Sequence, residues 1–359
     1  MKNLILILLL SVVVALGFNS CSQCNKPKEV AVNPKDTLVM PQLDVVTEEI
    51  RKDSTNPALY FKRAHMYENN QDIANATKDM FRALSLDSGR AEFFIYTANL
   101  FEKAAEPRRG IALMDKAIAM DSTNTDFFVK AAELAYIDTT LKGNYAISLA
   151  YLNAAILKNP QNANIYFYKG NVFKELKDTA KAISSFQTAT ELDPQFYDAY
   201  VQLGILLARK KDKSAEKYLD NAIKVNKKPE DALYAKANIL KETALGLEND
   251  KNNAPAIAKF NEAIDTYHKV IDINYKNVES YMGIAFSYYE MDSVLQAYKY
   301  YALATKIEPT YAGAYFSQGL CAEDLGHTKE AIELYQSCLN IDPKFTRAQE
   351  HLKKLQPKP

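Results

Sequence analysis

Apolar residues recur along most of the chain at the spacing of an α-helix, in blocks that are themselves repeated. In the block that begins near Tyr166, the residues Tyr166, Gly170 and Phe173 fall on one face of a helix with 3.6 residues per turn. Further on, Phe186 and Ala189 lie on one face of a second helix, which ends at the sequence "ELDP". Each block therefore predicts two helices joined by a short turn.

An aromatic residue marks the start of each block, and we call these residues anchors. Their spacing is 34 residues in five of the seven intervals, with one interval of 38 and one of 47. Such a fixed period is the sequence signature of a repeat protein. The anchors are Tyr60, Phe94, Phe128, Tyr166, Tyr200, Tyr234, Tyr281 and Tyr315.

Small residues occupy fixed places after the anchors. Four positions on, the residue is Ala or Gly in seven of the eight blocks, with Asn238 the exception. A later position, at the start of the second helix, is small in all eight blocks: Ala76, Gly110, Ser148, Ala182, Ala215, Ala263, Ala297 and Ala331. Small residues let two helices approach closely, and no single block can bury its apolar face alone. The sequence therefore predicts a stack of helix pairs.

This pattern resembles the tetratricopeptide repeat (TPR), and "YFYKGNVFKELKDTAKAISSFQTATELDP" matches almost the whole family signature. The resemblance implies an all-α fold, a right-handed superhelical solenoid of about eight helix-turn-helix repeats. We expect the repeats at 57–90, 91–124, 125–162, 163–196, 197–230, 231–277, 278–311 and 312–345. We also expect an N-terminal capping helix within 41–56 and a C-terminal capping helix and tail over 346–359.

Two repeats depart from the common length. The third carries four extra residues around "DTTLKGN", and the sixth carries thirteen around "LENDKNNAP". We expect the sixth repeat to be a lengthened helix pair with a protruding loop.

The first residues of the chain resemble a bacterial lipoprotein signal. Lys2 precedes an apolar run from Leu4 to Phe18, which is too short to span a bilayer as a helix and is typical of a secretory signal peptide. Cys21 follows this run in the sequence "GFNSCSQC", where Ser20 fits the lipoprotein pattern and Phe18 and Asn19 depart from it. We therefore predict a signal peptide over 1–20, lipid attachment at Cys21 and a flexible tether over 21–40. A secretory peptide without lipid is the alternative.

The net charge and the sequence motifs bear on whether the protein binds nucleic acid or carries a catalytic or metal site. Removing residues 1–20 leaves 43 basic residues against 44 acidic ones, which gives no electrostatic footprint for nucleic acid. The chain contains no G-x-G-x-x-G, P-loop, G-x-S-x-G or H-x-x-x-H sequence. We therefore predict no catalytic residues, no metal and no cofactor, and a small-molecule ligand is not favoured. Helix geometry places Cys321 and Cys338 about 10 Å out of register, beyond the reach of a disulfide.

In the TPR family the first helices of successive repeats line a concave groove. Residues one position after each anchor are apolar throughout. Residues five positions after the anchor are polar in the first four repeats, from His65 to Asn171, and apolar in the last four, from Ile205 to Leu320. We expect a partner to bind the apolar half, through Val201, Ile205, Ile239, Met282, Phe286, Tyr289, Phe316 and Leu320. The alternative is that these residues are partly buried between repeats, and we favour it slightly for the positions next to the anchors.

Some relatives bind a terminal carboxylate through a clamp of Lys and Asn on this face. Here Asn99 and Asn171 occupy the asparagine positions, but Ile95 and Phe167 stand where the lysines belong. The clamp is broken, so a terminal carboxylate is not the expected ligand.

These observations predict a non-enzymatic adaptor, a scaffold for protein binding that is lipid-anchored in the bacterial cell envelope. We expect it at the outer membrane, facing the periplasm, with other envelope proteins as partners and with membrane contact through the lipid anchor only. The alternative is an outer-membrane lipoprotein that binds or takes up glycans. Such sites favour aromatic platforms, and this chain has no Trp but 23 Tyr.

Overall fold

The computed structural model describes residues 41–140, 143–247 and 254–356. The chain divides into two compact units, the first ending at Ser54 and the second beginning at Thr55. In the first unit the described helix is α1 (Pro41–Lys52). The predicted signal peptide, Cys21 and the tether lie outside the described residues. No helix within the described ranges has both the length and the apolarity needed to cross a bilayer.

The described part of the second unit is built from helix pairs and contains no strand. The first helices of the pairs are α2 (Pro57–Asn69), α4 (Ala91–Lys103), α6 (Thr125–Ile137), α8 (Ala163–Glu175), α10 (Tyr197–Arg209), α12 (Glu230–Leu247), α14 (Val278–Glu290) and α16 (Ala312–Asp324). The second helices are α3 (Ile73–Leu86), α5 (Pro107–Met120), α7 (Asn144–Lys158), α9 (Thr179–Leu192), α11 (Ala215–Val225), α13 (Ala254–Ile273), α15 (Val294–Ile307) and α17 (Thr328–Ile341). A last helix, α18 (Thr346–Leu355), follows.

Each first helix packs on its own second helix, and each second helix packs on the next first helix. The last pair packs on α18 in the same way. This confirms the predicted all-α solenoid of about eight repeats with a helix after the last pair. The sixth pair is the longest, because α12 has 18 residues and α13 has 20, against 11 to 15 in the helices of the other pairs.

The small residue four positions after the anchor lies against a large side chain of the second helix. A Cβ built on Gly170 would stand 2.6 Å from the Phe186 ring, and one on Gly319 would stand 2.7 Å from the Tyr335 ring. Both rings are fully buried. Close packing of the two helices therefore requires glycine at these places.

Asn238 occupies this packing position in the sixth repeat, where the other repeats have Ala or Gly, and its contacts explain why a larger residue fits. The facing side chain is Tyr267, which is fully buried and whose O–H donates to the Asn238 Oδ1 at 2.7 Å. The Asn238 amide in turn donates to the Tyr234 carbonyl at 3.1 Å. A larger, polar residue is accommodated here because it satisfies a buried phenol.

In most repeats the turn between the two helices contains one residue with a left-handed backbone conformation, eleven positions after the anchor. A left-handed backbone costs a residue with a Cβ about 1–2 kcal/mol, so glycine is preferred there. Glycine fills it only in the last repeat, at Gly326, with φ of 78°. The remaining left-handed turn residues are Gln71, Ala105, Lys177, Lys211 and Asp292.

The anchors lie in or at the edge of the core. Tyr60, Phe94, Phe128 and Tyr200 are buried, and the other four are partly buried. Ring contacts join an anchor to its own second helix, as between Tyr200 and Tyr218 at 6.4 Å.

Candidate partner-binding face

The first helices of neighbouring repeats lie side by side and contact each other, as α6 does with α8 and α10 with α12. We call the surface formed by residues one and five positions after the anchors the first-helix face. We call repeats one to four the front repeats and repeats five to eight the back repeats.

Three polar contacts between successive first helices share one spacing. A residue eight positions after one anchor meets a residue two positions after the next anchor, 28 residues further along the chain. The pattern joins Glu68 to Tyr96, Glu102 to Lys130 and Lys174 to Gln202. These contacts help to set the register of neighbouring repeats. The sequence analysis did not predict them, although the spacing of 28 residues can be found in the sequence.

Lys130 is the most buried member of this series. Its ammonium donates to Glu102 at 2.6 Å and to Glu133 at 2.9 Å, and the residue is only 7% exposed. Burial, and then the Glu133 carboxylate beside it, raise the pKa of the Tyr168 phenol. In the front repeats one ammonium therefore lies between two carboxylates.

The predicted binding residues divide into two groups by burial. Val201 is only 4% exposed and Phe316 only 3%. These two lie beneath the surface and cannot contact a partner without rearrangement. The other six are partly exposed: Ile205, Ile239, Met282, Phe286, Tyr289 and Leu320. We call these six the apolar strip.

Val201 and Phe316 are buried because the next element covers them. Phe345, just before α18, lies 5.0 Å from the Phe316 ring, and the Arg347 guanidinium lies over that ring at 4.8 Å. Val201 packs in a cluster with Leu219 and Ala232, on the following helices. The alternative interpretation of positions next to the anchors, burial between repeats, therefore applies to these two residues.

Phe286 is near the middle of the apolar strip in sequence order. The Lys241 ammonium on the preceding first helix lies 5.5 Å from the Phe286 ring centre. Nearby, the Tyr289 O–H donates to the Asp324 carboxylate at 2.8 Å. Burial first, and this hydrogen bond second, raise the pKa of the Tyr289 phenol. A charged rim on an apolar surface is typical of protein-binding sites.

The helix α18 is held to the last repeat by a polar cluster. The Glu323 Oε2 accepts from the Tyr335 O–H at 2.7 Å and lies 2.8 Å from the His351 Nδ1 on α18. Burial alone would raise the pKa of Glu323, but the hydrogen bonds from Tyr335 and His351 outweigh it, and the net shift is downward.

We next consider metal-binding groups and cysteines in the described residues. The ranges 41–140, 143–247 and 254–356 contain no group of His, Cys, Asp and Glu that could hold a metal ion. Cys321 and Cys338 are free and buried, so the prediction that they form no disulfide is confirmed. Burial raises the pKa of Cys321 to about 12 and that of Cys338 to about 11, so both stay protonated thiols at neutral pH.

Comparison with known families identifies the repeats directly. Models of the tetratricopeptide repeat match residues 142–195 and 312–345. Among curated proteins, the human "Tetratricopeptide repeat protein 6" is 28% identical over 177 residues, which is 48% of this chain and 31% of that protein.

A plant enzyme matches over a shorter stretch. The barley protein "Probable UDP-N-acetylglucosamine--peptide N-acetylglucosaminyltransferase SPINDLY" is 33% identical over 94 residues. That is 26% of this chain and only 10% of the barley protein. The chain therefore spans a small part of these relatives, and the match does not extend to the rest of the enzyme.

Solved structures agree with the fold. A TPR protein from Cytophaga hutchinsonii has a TM-score of 0.55 at 15% identity, covering 72% of this chain and 99% of that one. PilW, described as a type IV pilus biogenesis factor, has a TM-score of 0.50 at 16% identity, covering 64% of this chain and 97% of that one. Such identities establish the fold alone. The chain therefore matches the tetratricopeptide repeat over these two stretches and folds as a TPR solenoid.

Proposed function

We propose that this protein is a non-enzymatic adaptor that binds a segment of a protein partner on the apolar strip of the back repeats. The observation that carries the proposal is positional. Ile205, Ile239, Phe286 and Leu320 occupy the same place on four successive first helices, and all four are partly exposed. A contiguous apolar surface on a soluble repeat array usually marks a binding site, and grooves of this kind receive helical or extended segments.

The strip residues are half-buried, and five of them also pack against the core: Ile205, Ile239, Met282, Tyr289 and Leu320. Beside the strip residues in sequence, Ala285 is fully buried and Gly319 lies against the Tyr335 ring of the second helix. Phe286 is the largest member of the strip without a polar group, and large aromatic residues near the centre of an interface often contribute about 2 kcal/mol or more on truncation. Phe286 is therefore the residue to test first.

The test is truncation of Phe286 followed by partner recovery. Phe286→Ala should lower the affinity for the partner by about tenfold or more, the equivalent of about 1.4 kcal/mol or more, and should leave the helix content and melting curve nearly unchanged. Leu303→Ala is the matched control, because Leu303 is 40% exposed on the second helix α15, away from the strip. If Phe286→Ala unfolds the array, the residue is core. If both variants retain full binding, the site lies elsewhere.

We further propose that Cys21 is acylated and anchors the protein in the outer membrane of a bacterial cell, facing the periplasm. The support is the order of residues before it: Lys2, a short apolar run, and the small residue Ser20. Cys21→Ala should release the protein from the membrane fraction, while Cys24→Ala should leave it there, because acyl chains contribute about 0.8 kcal/mol per buried CH₂. Retention of Cys21→Ala in the membrane pellet would contradict the anchor.

A further inference from the structure

The front repeats contain a second candidate site, which the apolar strip does not include. A cavity of about 440 Å³ opens on the first-helix face between α2 and α4 and reaches the start of α6. Its volume lies within the usual range for ligand pockets, about 300–1,000 Å³. It can accept a side chain with part of its backbone.

One wall of the cavity is aromatic. The Phe61 and Tyr96 rings meet edge to face with centres 5.2 Å apart, and the His65 ring lies 4.2 Å from Tyr96. These contacts hold the three rings in place, and Ile95 extends the wall on the next helix. Fixed aromatic faces attract cations through the ring quadrupole.

Two carboxylates also line the cavity. Glu92 and Asp126 line it, both are exposed, and both stand in the first turn of their helices. Within the part of the chain that the structure describes, neither carboxylate forms a salt bridge, and no side chain donates a hydrogen bond to either. The lining contains no Lys or Arg. The lining of the cavity therefore combines two carboxylates that form no salt bridge with a cluster of aromatic rings.

The position of this cavity is informative. Ile95 and Asn99 line it, and they occupy the places of the clamp lysine and asparagine that hold a carboxylate in some relatives. Here the lysine is absent and carboxylates stand nearby, so the electrostatic preference is reversed.

We propose that this cavity binds an arginine side chain of a partner peptide. The planar guanidinium stacks on one ring of the aromatic wall and donates hydrogen bonds to Glu92 and Asp126, a combination that the ammonium of lysine reproduces less well. The cavity is separate from the apolar strip, so an experiment that refutes binding at one site leaves the proposal for the other unaffected.

The experiment uses the full chain in detergent micelles with labelled isoleucine methyl groups. Ile95 reports on the cavity, and Ile205 and Ile239 report on the apolar strip. The probe is a short alanine-based peptide with one central arginine, compared with the same peptide carrying neutral, isosteric citrulline. The arginine peptide should shift the Ile95 methyl signal and leave the strip signals in place. The citrulline peptide should bind about tenfold more weakly, because it lacks the charge.

Variants distinguish binding in the cavity from general attraction of the arginine to exposed carboxylates elsewhere on the protein. Glu92→Gln combined with Asp126→Asn should weaken the arginine peptide about fivefold or more, and Phe61→Leu should also weaken it by removing a ring face. Glu279→Gln is the matched control, since Glu279 holds the same place on α14 as Glu92 does on α4. It should have no effect. Equal binding of the arginine and citrulline peptides, or equal losses in the control and the double variant, would overturn the proposal.

Discussion

Gly170 is the most direct test of how the two helices of a repeat pack. Alanine at this position would bring its Cβ to 2.6, 2.7 and 2.8 Å from three atoms of the Phe186 ring. Phe186 is fully buried and lies 5.8 Å from the Phe167 ring, so its own ring has little room to move. Overpacking of this kind costs about 1–3 kcal/mol, whereas Gly→Ala in a helix gains about 1 kcal/mol from propensity. We expect a net loss of up to about 2 kcal/mol.

Gly246 provides the matched control. It lies in α12, and no atom of another residue stands within 4 Å of the place that an alanine methyl group would occupy. Gly246→Ala should therefore gain about 0.5–1 kcal/mol from propensity alone. Chemical denaturation measures the change in unfolding free energy of both variants. In Gly170→Ala, hydrogen exchange should speed up more in α8 and α9 than in the distant α2 and α3, because repeats couple mainly to their neighbours.

A rescue variant sharpens the test. In the third repeat the chain itself pairs Ala132 with Leu152 at the equivalent places, and both are fully buried. Phe186→Leu should therefore offset part of the cost of Gly170→Ala, giving a non-additive double-mutant cycle. Stabilisation by Gly170→Ala as large as that by Gly246→Ala would refute the packing argument.

Three further predictions concern the turns, the front repeats and α18. Gly326→Ala should cost about 1–2 kcal/mol in denaturation, since its φ of 78° is left-handed, and an unchanged stability would contradict the turn geometry. Lys130→Ala should cost about 1–3 kcal/mol by leaving Glu102 without its cation, and a stability that does not change would mean that the pair is not formed in solution. Because the pKa of Glu323 is lowered in the folded protein, its ionised carboxylate stabilises the fold above the ordinary glutamate pKa of about 4.3, and this stabilisation is lost as the pH falls through the pKa of the folded state. His351→Ala should raise the pKa of Glu323 in the folded protein, measured by carboxyl NMR.

The repeat architecture could be predicted from the sequence because it depends on a few residue sizes at fixed spacing. Aromatic anchors and small residues recur every 34 residues, and the helix pairs follow from their periodicity. The left-handed turn residues were not predictable in the same way. Five of the six carry a Cβ, as Ala105 and Lys177 do, so no glycine marks the turn.

Burial on the candidate face could not be predicted from a single helix. Helix geometry places Val201 and Phe316 off the packing face, but contacts with following elements decide their exposure. Phe345 and Arg347, residues of the C-terminal end, cover Phe316. The partner of Asn238 likewise depends on a lengthened repeat that brings Tyr267 opposite to it. Such pairings require the register between helices, which the sequence pattern does not specify.

The central claim, that the apolar strip binds a partner segment, is tested most directly by site-specific photo-crosslinking in intact cells. A photoreactive phenylalanine analogue replaces Ile239, Phe286 or Leu320 in turn, with Leu303 on α15 as the control position. Mass spectrometry then maps each adduct. We expect all three strip positions to label one contiguous segment of the same protein, and Leu303 to label no part of that segment. Adducts from Leu303 alone, or scattered adducts without a common segment, would contradict it.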